Sequence, residues 1–130
     1  YASLKEMPGA YGTRKGKDRT ATVGPTAAAK VLFALHPESL PPWDEKMRKH
    51  FGCDGSRESY VRFLKAVREL SFHVGSLCER NGFLIGQLPH ELGRDGSTVV
   101  SLLNEYLWVT ISAGCALPSH EALCRWVSWR

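Results

Sequence analysis

A glycine and an aspartate twenty residues apart are the residues of this chain best suited to chemistry. Gly24 and Pro25 open an apolar helix that the sequence predicts over residues 25–36. The unpaired N–H groups and the positive dipole at such a helix start can hold a phosphate. After a proline-stiffened loop, Asp44 begins the next predicted helix. A phosphate-facing turn followed by one carboxylate indicates nucleic-acid handling, including base excision; the alternative is an ordinary helix start with Asp44 as an N-cap.

The charge of the chain favours the same interpretation. Residues 1–30 carry six basic and two acidic side chains, whereas residues 31–130 carry eleven of each, so the whole net charge of +4 lies beside the glycine turn. Such a cluster suits a polyanion, although a solvated flexible arm is the alternative. Trp43 could stack on a base or fill the core. The predicted nucleic-acid contacts are Arg14, Lys15, Lys17, Arg19, Gly24, Thr26 and Lys30.

Composition places the chain among globular proteins. It has 130 residues, of which 43% are hydrophobic and 23% charged, and no apolar run is long enough to span a membrane. Because the chain begins with Tyr1 rather than Met, we expect a processed chain or part of a longer protein, with a domain or partner missing from view.

The spacing of the cysteines indicates no metal site, and the sequence predicts no cofactor. Their separations of 25, 37 and 9 residues resemble no zinc module. Cys78 and Cys115 lie in apolar helical patterns, where a free thiol acts as a small hydrophobe. We interpret all four as reduced thiols of a cytoplasmic protein, with one or two disulfides of a secreted protein as the alternative.

Periodicity predicts an all-α fold, a single globular domain of five or six helices. Residues 1–22 should form a basic, loop-rich segment, and residues 23–130 the helical domain. Val31, Leu32 and Leu35 should be buried on the first helix, and Gly75 should kink or end the longest one. The predicted helices span about residues 25–36, 43–51, 56–80 and 98–113, the last capped by Ser97, with a short turn within 83–97 and a final helix from about 118 to 128.

Residues 23–50 resemble part of the helix-hairpin-helix DNA glycosylases of the endonuclease III type. Val23 and Gly24 match the end of their hairpin turn, Ala28, Val31 and Leu32 match the helix that follows, and Asp44 stands at the family's Gly-to-Asp spacing.

In that family the aspartate assists departure of the damaged base and activates the nucleophile, so the resemblance implies Asp44 as a catalytic residue. Thr26 stands where the strand-cutting members have their Schiff-base lysine. The resemblance therefore implies a monofunctional N-glycosylase without lyase activity.

A second resemblance carries no function. The Lys30…Pro41-x-Trp43-Asp44 pattern and residues 102–108 look like those of bacterial helical proteins of uncharacterised function. The sequence therefore predicts a helical domain that binds nucleic acid. It would catalyse base excision only if Asp44 is a catalytic residue. The alternative is a non-enzymatic module that binds another protein.

Overall fold

The computed structural model describes residues 1–14, 16–119 and 121–122, and at Arg14, Lys17 and Arg19 it describes the backbone alone. The described chain is mostly helical, as predicted, but it is not all-α, because residues 8–22 form a small sheet. The elements in chain order are α1 (Ala2–Glu6), β1 (Pro8–Arg14), β2 (Lys17–Thr22), α2 (Gly24–Leu35), α3 (Glu45–His50), α4 (Arg57–Arg80), a 3₁₀ turn (Ile85–Gln87), α5 (Leu88–Glu91), α6 (Val99–Leu107) and a π-helix (Trp108–Ser112).

The N-terminal segment differs from the predicted loop. After α1, strands β1 and β2 pair antiparallel, and the connection between them includes Gly16 at φ 71°. A positive φ suits a tight hairpin, and glycine adopts it without steric cost. We call residues 8–22 the ribbon. Its described side chains are exposed on both faces, so no apolar alternation marks the strands in the sequence.

Helix α2 begins and ends close to the predicted positions. Gly24 opens it at φ 72°, and it stops at Leu35 because His36 precedes a proline. The predicted buried face is wrong in part. Val31 and Leu35 are exposed, whereas the small side chains of the alanines at 28 and 29 are fully buried and let the helix approach the core closely.

Two capped helices, α3 and α4, supply four of the nine residues of the core cluster. Asp44 caps α3, and the Ser56 hydroxyl caps α4 by accepting the Ser59 N–H at 3.1 Å. Gly75 does not interrupt α4, which runs unbroken to Arg80. The core cluster contains Ala29, Trp43, Met47, Cys53, Tyr60, Phe63, Val67, Leu103 and Leu107.

The segment after α4 follows the prediction with two corrections. Thr98, and not Ser97, caps α6 by accepting the Ser101 N–H at 3.0 Å. Cys115 is exposed beyond the π-helix, so its predicted place in a helix is wrong. Cys53, Cys78 and Cys115 are free thiols, whereas Cys124 lies outside the described residues. Most of the predicted last helix does as well.

None of the helices in the described part of the chain is long and apolar enough to cross a lipid bilayer.

Candidate nucleic-acid interface and the Asp44 cap

The ribbon holds the densest basic cluster of the sequence on an exposed two-stranded hairpin. Strand register pairs Arg14 with Lys17 and Gly12 with Arg19. Directly opposed residues of an antiparallel pair share one face, and neighbours along a strand alternate between faces. The register therefore assigns these two pairs to the same face, which we call the basic face. Lys15 lies outside the described residues.

The opposite face of the ribbon has a different chemistry. Tyr11 pairs with Thr20, and Thr13 pairs with Asp18. The Thr13 hydroxyl donates a hydrogen bond of 2.7 Å to the Asp18 carboxylate, which confirms that this pair shares a face. These side chains line a shallow depression of about 390 Å³. Its carboxylate makes this face a poor surface for phosphate, so the two faces differ in the charge that they would attract.

The basic face also includes positions with small side chains or none. Ala10 pairs with Ala21 on that face, and Gly12 adds no side chain. A Cβ atom built at Gly12 would meet none of the described atoms within 4 Å. These three positions therefore add little bulk of their own to the basic face.

The ribbon leads directly into the glycine turn at the start of α2. The Val23 N–H donates to the Met7 carbonyl at 2.9 Å, which closes the base of the ribbon, and Gly24 follows at once. No side chain caps the start of α2, and no acidic residue lies in its first turn. Thr26 is half-buried and Lys30 is exposed. Residues four apart share a helix face, so Lys30 extends the face that Thr26 begins.

Asp44 lies at the start of α3, where its carboxylate accepts the Met47 N–H at 2.8 Å. This is the N-cap arrangement, which satisfies one of the unpaired N–H groups of a helix start. Of the two roles considered for Asp44, the observed contact is the one expected for a structural cap. A catalytic role for Asp44 stays a prediction.

The pKa of Asp44 lies below its ordinary value for several opposed reasons. Burial raises the pKa, while the neighbouring Ser112 hydroxyl, the N–H groups of Met47 and Lys46, and the Lys46 ammonium lower it and prevail. Ser112 is 6% exposed, and within the described part of the chain its Oγ makes no hydrogen bond of good geometry. Its effect on Asp44 is therefore that of a nearby dipole. The carboxylate is ionised at neutral pH.

A second contact ties α3 to the π-helix. The Lys46 ammonium donates to the carbonyl of Ser112, the last residue of the π-helix. The sequence does not predict this contact, because residues 108–111 are β-branched or aromatic and so resemble a strand. π-helical turns are frequent at functional sites, but here the turn supports the Asp44 cap.

Trp43 is a core residue, so the prediction that it could stack on a base is wrong. It is 1% exposed, and its indole N–H donates to the Pro25 carbonyl at 3.2 Å. Its ring lies 5.0 Å from that of Tyr60 and 5.3 Å from that of Phe63. Trp43 therefore joins the start of α2 to the aromatic core, the packing role that was the alternative.

Arg48 is a residue near this site that sequence reasoning missed. Its Nε atom is buried and has no hydrogen-bond partner among the residues that the structure describes. A Cβ atom built at Gly55 would lie 2.9 Å from Arg48 Nη1 and 3.2 Å from Pro25 Cγ. Because Gly55 has no side chain, the Arg48 guanidinium can lie close to Pro25 in the first turn of α2. Only the fold joins these three positions, so no sequence pattern could have identified Arg48.

The resemblance to the helix-hairpin-helix glycosylases stays a prediction. Helix α2, the proline-containing loop and the Asp44 cap follow in the expected order. The residues before Gly24, however, form strand β2, where a helix-hairpin-helix by definition has its first helix. Comparison with protein families, with characterised proteins and with solved structures finds no match to this chain.

Proposed function

We propose that this protein binds nucleic acid through the basic face of the ribbon. The observation that carries the proposal is the exposed hairpin, because it concentrates most of the positive charge of residues 1–30 on one small element. The major groove of B-form DNA admits a two-stranded β-ribbon, and several DNA-binding proteins use one. The uncapped start of α2 adds N–H groups and dipole charge at the base of the ribbon.

The difference between the two faces supports a defined orientation. The basic face includes the Arg14–Lys17 pair and Arg19, and Gly12 opposite Arg19 has no side chain. The opposite face includes Asp18. Electrostatic attraction favours phosphates on the first face and disfavours them on the second. The ligand backbone therefore lies along the basic face, and Tyr11 faces away from it.

The experiment is an electrophoretic shift with duplex DNA, single-stranded DNA and RNA across a salt series. Replacing the four ribbon residues Arg14, Lys15, Lys17 and Arg19 by Gln should weaken binding. The slope of log K on log salt should fall by about 0.9 for each duplex phosphate that the protein no longer neutralises. A matched control replaces four exposed basic residues of α4 (Arg57, Arg62, Lys65 and Arg80) by Gln. An equal slope in both variants would remove the ribbon from the binding site.

A second pair of variants tests the orientation. Gly12→Val adds bulk to the basic face, where the fold has room for it, and β-branched residues suit strands. We expect it to lower the affinity at constant salt. Thr20→Tyr adds bulk to the opposite face, keeps a residue that suits strands, and should leave the affinity unchanged. Equal effects of both variants would contradict binding on one face.

The non-enzymatic protein-interaction module is the second candidate, and the Asp44 cap favours it. A carboxylate bonded to the Met47 N–H and a buried Trp43 are structural roles, as that hypothesis predicts. The salt series separates the two candidates. Absence of any DNA or RNA shift at low salt would reject nucleic-acid binding and leave the interaction module.

A further inference from the structure

A groove between α4 and α6 lies outside every site considered so far. It encloses about 300 Å³, which is the lower end of the range for small-molecule sites. Val67 and Leu103, 4% and 5% exposed, form part of its lining, and fully buried Pro41 contributes from the loop before α3. Half-buried Leu64 and Val100 complete the apolar part.

The polar lining is small and positively charged. Arg68 is the single ionisable residue in it, accompanied by the hydroxyls of Ser39 and Ser71. The guanidinium carbon lies 5.2 Å from the centre of the Phe72 ring, which steadies its position. Among the residues that the structure describes, Arg68 has no ion-pair partner. Arg68 is therefore an exposed cation at the edge of an apolar groove, and none of the described acidic residues forms an ion pair with it.

From this lining we infer that the groove binds an aliphatic carboxylate of medium length. The α4 residues of the lining run from Leu64 to Ser71, seven helical steps or about 10 Å. The cavity has the volume of about ten water molecules, which suits an eight-carbon chain. The apolar part of the groove binds the aliphatic chain of the ligand, and Arg68 binds its carboxylate.

The charge of the lining decides the head group. One guanidinium balances one negative charge, and its fork matches the two oxygens of a carboxylate. A phosphate monoester carries nearly two charges at neutral pH, and the groove lining has no second cation for it. The exposed Ser39 hydroxyl can donate one further hydrogen bond to the carboxylate.

The test is calorimetric titration of the full chain with octanoate and, separately, with octanol. In the wild type we expect octanoate to bind about three- to five-fold more tightly, the gain of an exposed ion pair. Arg68→Gln should abolish this preference. Arg62→Gln is the matched control, because Arg62 is exposed on the same helix outside the groove, and it should keep the preference.

A variant that fills the groove tests whether the aliphatic chain of the ligand binds there. Val100→Trp adds bulk at the half-buried edge of the groove and should weaken binding of both ligands, with folding checked by circular dichroism. Equal binding of octanoate and octanol to the wild type would overturn the inference, as would retention of the preference in Arg68→Gln. Tighter binding of octyl phosphate than of octanoate would overturn the choice of head group.

Discussion

Asp44 shows what a single residue can and cannot reveal in a sequence. Its position after two prolines predicted a helix start, and the structure confirms one, with the carboxylate on the Met47 N–H at 2.8 Å. The sequence does not predict that Ser112 and Lys46, two of the neighbours that lower the pKa of Asp44, lie beside the same carboxylate. The π-helix brings Ser112 to α3 across more than sixty residues of sequence, and no local pattern encodes that approach.

Substitutions at Asp44 should separate capping from charge. Asp44→Ala removes the acceptor and should lower the free energy of unfolding by about 0.5–2 kcal/mol. Asp44→Asn retains an acceptor and should cost much less. Urea unfolding at neutral pH measures both. Equal losses in the two variants would mean that the charge of Asp44, and not its hydrogen bond, stabilises α3.

The pH dependence of stability at Asp44 has a definite sign. Its pKa is lower in the folded protein than in the unfolded chain, so the ionised group stabilises the fold above the ordinary carboxyl pKa of about 3.9. This contribution is lost as the pH falls through the folded pKa. The stability difference between wild type and Asp44→Asn should therefore shrink on acidification, and a difference that is constant below pH 5 would contradict it.

The excision hypothesis makes its own prediction for Asp44→Asn. An amide neither stabilises positive charge at the sugar nor takes a proton from water well. If Asp44 is catalytic, the variant binds DNA but does not release a damaged base from a labelled duplex. The stability measurements serve as the folding control. Failure of the wild type to release a base from a broad panel of lesions would reject the hypothesis.

At the scale of elements, helices α2, α3 and α4 were predictable, whereas α1 and the ribbon were not. Helices α2, α3 and α4 have local start signals at Gly24, Asp44 and Ser56, and α4 adds an apolar stripe that the core requires. The described side chains of the ribbon are exposed on both faces, so burial imposes no alternation on them. Its connection also lacks the Asn-Gly or Asp-Gly pair that identifies many hairpins. The basic residues were recognised, but the element that presents them was not.

Helix α4 offers a prediction at this scale. Gly75 lies inside the helix, and its φ does not require glycine. A Cβ atom there would lie 3.8 Å from Cβ and Cδ1 of Ile85, an ordinary van der Waals distance. Gly75→Ala should therefore raise the free energy of unfolding by about 0.5–1 kcal/mol, because alanine loses less backbone entropy. Urea unfolding measures it, and a loss of stability would mean that Ile85 cannot accept the methyl group.

For the whole molecule, the ribbon is an appendage to a helical body. Tyr1 anchors α1 to that body: its ring stacks on Tyr60 at 4.5 Å, and its hydroxyl donates to the Gly55 carbonyl at 2.9 Å. The chain then leaves at Met7 and returns at Val23, where the two residues are joined by a hydrogen bond of 2.9 Å. Core packing and the basic cluster therefore belong to separate parts of the protein.

This separation predicts that the ribbon can be removed without loss of the fold. Replacing residues 8–22 by Gly-Gly keeps Tyr1 in the core, since three Cα–Cα steps reach about 10 Å and span the gap between Met7 and Val23. We expect cooperative unfolding and octanoate binding to persist, whereas DNA affinity should fall to that of the four-glutamine variant. Unfolding by circular dichroism, calorimetry and the salt series measure the three properties. Loss of cooperative unfolding would make the ribbon part of the folding unit, and unchanged DNA affinity would place the nucleic-acid site on the helical body.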